Sequence, residues 1–272
     1  MPYRPLHALV LVVVALTVAG CPSSPSSGGD AGAQPDANLA DASGADTGAS
    51  VDGGGRCMAV DPLCVDQSIS MLDLFATVSP AAITEEGTAP GEFTTHVDST
   101  GGGFMPTQSF VYARFTDTGL TRVDVSDEDA FLSSDWDVAF RRFIIRLNSG
   151  PSGPSCVTAG RTAPGTTFDG LTSVPTGLTQ HAEEYFTATC DLVPDGSGLG
   201  SPATVLSSFW SYPGCVAMTH NVYVIALASG RHVKLEVVGY YDTPAQTQCD
   251  TMGTIPMPST AGNTRIRWAF LD

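Results

Sequence analysis

Lysine is almost missing from this chain. Lys234 is the single one, and Lys and Arg together number 12 against 28 Asp and Glu, for a formal net charge of −16. Nucleic-acid backbones are held through a basic footprint, so this balance excludes nucleic acid as a partner. A phosphate cradle of the Gly-x-x-x-x-Gly-Lys type is missing as well, and Gly101-Gly102-Gly103 has no lysine behind it. The chain also lacks a Gly-x-Ser-x-Gly elbow, a His-Glu-x-x-His pair and a dinucleotide fingerprint after a strand, so no enzyme is expected. His96 and Asp98 on their own do not make a hydrolase. There is no Cys-x-x-Cys pair and no histidine at ligand spacing, which disfavours zinc. Internal repeats at a solenoid or propeller period are absent, as are Asn-x-Ser/Thr acceptors.

Long apolar runs are equally scarce. The run over 8–18 is too short for a comfortable membrane span. Arg4 precedes it and Val18-Ala19-Gly20-Cys21 ends it, small residues before a cysteine. This pattern resembles a bacterial lipobox and implies a signal peptide over 1–20 with acyl chains on Cys21. Several chains on one residue make a stable anchor, since each buried methylene contributes roughly 0.8 kcal/mol. Pro22 stands where an aspartate would retain the protein at the inner membrane. The expected location is therefore the outer membrane, lipid-anchored and periplasmic or surface-exposed, with membrane contact through the anchor only. From 22 to 55 the chain is dominated by Gly, Ala, Ser, Pro and Asp, with no aromatic residue and no cation. Such a segment buries too little apolar area to offset its ordering entropy, so 21–55 reads as a disordered tether and 56–272 as the folded domain.

The chain has 7 cysteines. Beyond Cys21, the remaining Cys57, Cys64, Cys156, Cys190, Cys215 and Cys249 are even in number and read as disulfides in an exported protein. Connectivity stays open. Cys57–Cys64 is the local choice, Cys215–Cys249 joins the same end of a hairpin, and Cys156–Cys190 then follows by elimination.

The densest pattern lies over 134–153. Trp136, Val138 and Phe140 alternate with Asp137, Ala139 and Arg141, the period of a strand with one buried face, and Phe143, Ile145 and Leu147 continue as a second row. Asn148 to Gly153 is a turn signal. Segments 110–115 and 121–125 predict a hairpin across Asp117-Thr118-Gly119. Residues 184–192 read as a further strand, and 68–75 as one short helix. In the best hairpin, 222–228 is almost continuously apolar, Ser229-Gly230 turns, and Val233, Leu235 and Val237 alternate with His232, Lys234 and Glu236. Ile266, Trp268 and Phe270 alternate with Arg265 and Arg267 as a closing strand. Short strands, many turn residues and little helical period predict an all-β protein, a single antiparallel β domain after the tether.

Trp136-Asp137-Val138-Ala139-Phe140-Arg141-Arg142, with Ile144, Arg146, Asn148-Ser149-Gly150 and Ser152-Gly153 behind it, resembles the signature of the HmuY family. Phe168-Asp169-Gly170-Leu171, Val174-Pro175-Thr176 and the hairpin over 221–241 are similar to further family segments, so the resemblance runs over roughly 103–272. It implies an all-β lipoprotein that binds haem or another apolar small ligand, sequesters haem for iron acquisition, and meets an outer-membrane receptor. In the best-described relatives two histidines clamp the iron, one in a Pro-Asp-Gly-His loop and one shortly after a tryptophan. Here the first loop is Pro194-Asp195-Gly196-Ser197, and Trp210 is followed by Ser211-Tyr212-Pro213-Gly214-Cys215, so neither histidine is present.

Iron takes axial donors from His, Met, Cys or Tyr. The substitutes are Met218, His220 and His181, with Met252 and Met257 in the segment before the last strand. Each has a plain structural alternative, as core filler, strand-end hydrogen bond or surface residue. Arg141, Arg142 and Arg146 form the densest cationic cluster, and Arg141 and Arg142 are candidates for the haem propionates. Local ion pairing with Asp135 and Asp137 is the alternative. Asp124, Asp127, Glu128 and Asp129 do not fit a calcium loop and read as a solvated acidic turn. A competing reading keeps the fold, loses haem, and leaves a surface lipoprotein acting in protein or other ligand interactions.

Overall fold

The computed structural model describes residues 57–103 and 105–271. The expected signal peptide, Cys21 and the tether to 55 lie outside the described residues. Helix α1 (Val65–Met71) leads into β1 (Ile83–Ala89), β2 (Glu92–Asp98), β3 (Val111–Thr116) and β4 (Gly119–Val123). The short helix α2 (Asp127–Ala130) precedes β5 (Val138–Arg141), β6 (Ile144–Leu147) and β7 (Thr158–Arg161). After a long irregular stretch come β8 (Trp210–Ser211), β9 (Ala217–Met218), β10 (Val222–Ala226), β11 (His232–Gly239), α3 (Thr243–Met252) and β12 (Asn263–Leu271).

The strands form a six-stranded sheet in the order β1-β2-β12-β11-β10-β7, a four-stranded sheet in the order β4-β3-β5-β6, and the small pair β8-β9. Every pairing is antiparallel, so the all-β expectation holds. The C-terminal strand β12 lies between β2 and β11, joining the first hairpin to the late one. Trp268 is the joint: it faces Phe93 on β2 and Leu235 on β11, stacks on Phe93 at 4.3 Å, and donates its indole N–H to Thr95 Oγ1 at 2.8 Å.

The main core lies between the two sheets, with Val138, Phe140, Ile145 and Leu147 from one and Ile225, Val233, Leu235 and Trp268 from the other. Each such side chain contributes roughly 1.5–3 kcal/mol when removed from water. A second core covers the other face of the four-stranded sheet, where Tyr112, Trp136 and Ala139 meet Leu72, Phe131 and Tyr185. This corrects the one-sided reading of 136–141. Trp136 packs beside Ala139 in this second core, apart from Val138 and Phe140 in the main one, and both faces are buried because α1, α2 and the Tyr185 segment cover the face expected to meet water.

Several local expectations shift. The helix sits at Val65–Met71 rather than 68–75. Segment 184–192 is no strand: it makes a single bridge between Phe186 and Leu192, and Cys190 at its turn takes a left-handed backbone with φ 60°. The hairpin β1–β2 and helix α3 lie outside the elements that the sequence patterns mark. In β2 two of the inward positions are Phe93 and Val97, but the third is Thr95, which blurs the apolar alternation.

The disulfides are Cys57–Cys156, Cys64–Cys190 and Cys215–Cys249. The expected Cys57–Cys64 and Cys156–Cys190 pairs are therefore replaced. Segment 57–64 lies along the domain, with the Val60 N–H donating to Pro154 O at 3.0 Å. Each of its cysteines consequently finds a partner in the β domain rather than in its own neighbour.

Candidate functional site

Arg142 and Phe143 turn β5 into β6, and the turn closes because Arg142 adopts φ 54°. The turn sends Phe143 outward between two aromatic rings, Trp210 at 5.0 Å and Tyr240 at 6.1 Å. A cleft of about 600 Å³ opens there, with Phe143, Ile144, Val216, Tyr240 and Tyr241 on its walls. Met71, Met105, Met257 and Tyr212 also line it, and they are 49%, 69%, 82% and 50% exposed.

One glutamine shapes the wall. Gln246 Oε1 on α3 accepts the N–H groups of Tyr240 and Tyr241, while its Nε2 donates to Val216 O and Asp250 Oδ1. The Val216 N–H donates to Tyr241 Oη at 3.1 Å. The Cys215–Cys249 bond ties the same two segments together. Tyr240 is 2% exposed and its hydroxyl is buried without a hydrogen-bond partner among the described residues. Burial raises the pKa of that hydroxyl, so it stays protonated as a donor.

Two polar grooves lie nearby. One, of about 450 Å³, is lined by Asp195, Ser197, Trp210, Ser211 and Asn221 among others. The other, of about 510 Å³, includes His181, Glu184, Thr179 and Tyr223. Arg161 and Ser208 belong to both. The apolar cleft and the first polar groove share Tyr212.

Residues 106–252 match the protein family described as HmuY protein. The chain belongs to the HmuY family. Solved structures similar to it include a Bacteroides fragilis protein described as a lipoprotein (16% identity, 68% of this chain and 94% of that chain, TM-score 0.42). A Bacteroides vulgatus protein described as HmuY-like and heme-binding has 15% identity over 69% of this chain and 96% of that chain, with a TM-score of 0.43. The apo HmuY analogue of Tannerella forsythia has 15% identity over 74% of this chain and 99% of that chain, with a TM-score of 0.35. No curated protein sequence matches.

The loop at the HmuY histidine position is a hairpin closed by a bridge between Pro194 and Pro202, with Asp195 Oδ1 accepting the Ser197 N–H at 2.9 Å. Its Ser197 faces the polar groove, whereas Leu199, two residues on, lines the apolar cleft. The substitute ligands are not brought together. Met218 is 8% exposed, packed in the main core and opposite Trp210 in the β8–β9 pair. His220 Nδ1 lies 2.8 Å from Glu236 Oε1, a strand-end partner of the bland kind. His181 bridges to Ala159 at the edge of β7 and lines the second polar groove. Met252 is exposed at the end of α3. Of the sequence candidates, Met257 and the two arginines line the apolar cleft.

Arg141 cannot serve a propionate. Its guanidinium donates to Asp73 O at 2.8 Å and Gln108 O at 3.3 Å, and to Leu72 O, beside Asp127. Burial lowers its pKa to about 10, with Asp127 acting against that shift. Arg142 reaches the Gly103 carbonyl at 3.5 Å and lies 5.9 Å from the Tyr240 ring centroid. The acidic turn is also corrected: Asp127 is buried and accepts from Phe110 N, Phe75 N and Tyr112 Oη. Sequence reasoning missed Phe143, Tyr240, Tyr241, Met71 and Met105 as a group. The signals available were the Tyr240-Tyr241 pair and methionines in turn-rich segments, neither of which carries a period.

Proposed function

We propose that this chain is a non-enzymatic binding protein of the cell envelope that holds haem, or a similar flat apolar ligand, in the cleft beside Phe143 and Tyr240. One observation carries the reading: the cleft is apolar, falls in the usual size range for small-molecule sites, and shares a wall with the loop that bears ligands in relatives. The residues there fit haem. Phe143, Ile144 and Val216 suit the plate, and Met105, Met257 and Tyr212 are donor types that iron accepts. Arg142 can pair with a carboxylate edge. Haem when bound supplies an iron centre, and the chain supplies burial, orientation and axial donors. Haem sequestration for iron acquisition, with a receptor as second partner, is consistent with a relative described as heme-binding. A signal peptide over 1–20, acylation at Cys21 and a tether to 55 would hold the domain at the outer membrane.

Titration of the full chain with hemin tests this. A shifted Soret band and a magnetic circular dichroism pattern of Met or Tyr ligation are expected. Both are to weaken in F143D, M257A, M105A and Y212F, and to persist in H181A and H220A. An unaltered hemin spectrum would end the haem reading. Ser197 at the family histidine position and the Cys215–Cys249 tie favour the second reading, in which the same cleft serves another apolar ligand or a protein partner. Pulldown of one specific envelope protein, together with no hemin response, is its expected signature.

A further inference from the structure

Among the described lysines and arginines, nearly every cation is held. Arg114, Arg122, Arg141, Arg231, Arg265 and Arg267 each pair with a carboxylate. Lys234 donates to the Phe168 and Leu171 carbonyls, Arg146 to Tyr112 Oη, and Arg142 is engaged. Arg161 has no hydrogen bond or ion pair at its guanidinium among the described residues. It is exposed at the end of the edge strand β7, where the two polar grooves meet. In a chain of net charge −16, acidic partners are plentiful and a cation left without one is the exception.

The walls around it are built. Gly160 has no Cβ, and one placed there would run into the Thr179 carbonyl. Only glycine therefore lets 178–181 lie against β7 and set His181 beside Ala159 as the second wall. On the other side Asn221 Nδ2 and Thr219 Oγ1 both donate to Ser208 O at 2.7 Å, fixing the floor. Ser207 and Ser211 line the groove with hydroxyls that have no hydrogen-bond partner among the described residues. Half-exposed Tyr212, tilted edge-on to Trp210 at 6.3 Å, offers an aromatic face.

We infer that the double groove centred on Arg161 is a second ligand site, for an acidic sugar. The chemistry selects this class. A guanidinium with no hydrogen-bond or ion-pair partner among the described residues takes a carboxylate, and the half-exposed Tyr212 ring suits the C–H face of a pyranose. Hydroxyls, the Asn221 amide and the carboxylates of Asp195 and Glu184 match sugar hydroxyls. Those two carboxylates oppose a bare polyanion, so sulfate or phosphate alone is a poor occupant. This site adjoins the apolar cleft at Tyr212, which lines both, but its Arg161 lies outside the cleft and it does not depend on haem.

The test is titration of the full chain with digalacturonate, a neutral disaccharide of the same size, and sodium sulfate, followed by tryptophan fluorescence and calorimetry. Digalacturonate is expected to bind at least about tenfold tighter than either control. R161Q is to lose about tenfold, the size of one charge-assisted hydrogen bond, R161K is to keep part of the affinity, and melting temperatures are to stay unchanged. Hemin titration of R161Q should match the unaltered chain, which separates this site from the cleft. The inference is overturned by equal binding of the neutral sugar, by sulfate binding as tightly, by no binding at all, or by an R161Q variant that binds like the parent.

Discussion

Arg141 and Asp127 meet at 3.5 Å with their side chains 3% and 0% exposed. The pair holds α1, the 108–110 segment and β5 around one point, because Asp127 also accepts two backbone N–H groups and the Tyr112 hydroxyl. Phe110 stacks on the Arg141 guanidinium at 4.2 Å. A charge so enclosed serves the fold and not a ligand.

Removing one member of such a pair leaves an uncompensated charge in the core, at a cost of about 3–5 kcal/mol. D127A is expected to lose stability in that range, since three further donors lose their acceptor. R141M should lose less, because Asp127 keeps those donors. Urea unfolding of both variants checks the order, and a reversed order would refute the role given to Asp127.

Glu183 gives a pH prediction. It is 1% exposed, and burial raises its pKa from 4.5 to about 7, against the pull of the Leu147 and Val205 N–H groups. Between those two values the folded chain binds a proton that the unfolded chain has released. This contribution is therefore full below about pH 4.5, fades as pH rises to about 7, and changes no further above it. Its ceiling is about 3 kcal/mol. In E183Q this component is gone, so the stability gap between parent and variant should narrow from pH 4.5 to pH 7.5. A gap constant across that window would contradict the raised pKa.

Tyr240 carries a buried hydroxyl with no hydrogen-bond partner among the described residues. An unsatisfied buried hydroxyl costs about 1–3 kcal/mol, so Y240F should melt higher than the parent. If the hydroxyl is kept for a ligand in the cleft, the same variant should bind hemin more weakly. Calorimetric melting and hemin titration on one preparation test both outcomes.

The disulfides should rank by the chain they close. Cys215–Cys249 spans 34 residues and Cys64–Cys190 spans 126. Loop entropy predicts a loss of about 3–4 kcal/mol for C215S/C249S and a somewhat larger one for C64S/C190S. Only the first should alter the cleft, whose Val216 wall it secures. Guanidinium unfolding of the two double variants, with hemin titration as the second readout, separates these effects.

Much of the scaffold was legible along the chain. The rows Val233-Leu235-Val237 and Ile266-Trp268 face inward as their alternation predicts, and the 117–118 turn joins β3 to β4. Strand β2 was not legible, since Thr95 sits at an inward position and its hydroxyl meets Glu85 and the Trp268 indole. The candidate site was legible only in part. Met257 and Arg142 are candidates on side-chain chemistry, as an iron donor and a propionate partner, whereas Phe143 reads as a core position in a strand row. His181 and Met218 are candidates on chemistry alone, and one is a groove wall and the other core filler.

The order of side chains along a strand follows from the two-residue repeat of the extended backbone, so the residues alone sufficed for the β class, the late hairpin and the acidic, lysine-poor surface. An even set of cysteines announced disulfides in the same way. Which cysteines pair, which arginine is sealed beside Asp127 and which stands exposed at 161, and where Phe143 meets Tyr240 depend on segments about a hundred residues apart meeting in space. Burial and proximity are properties of that meeting, and no local pattern encodes them.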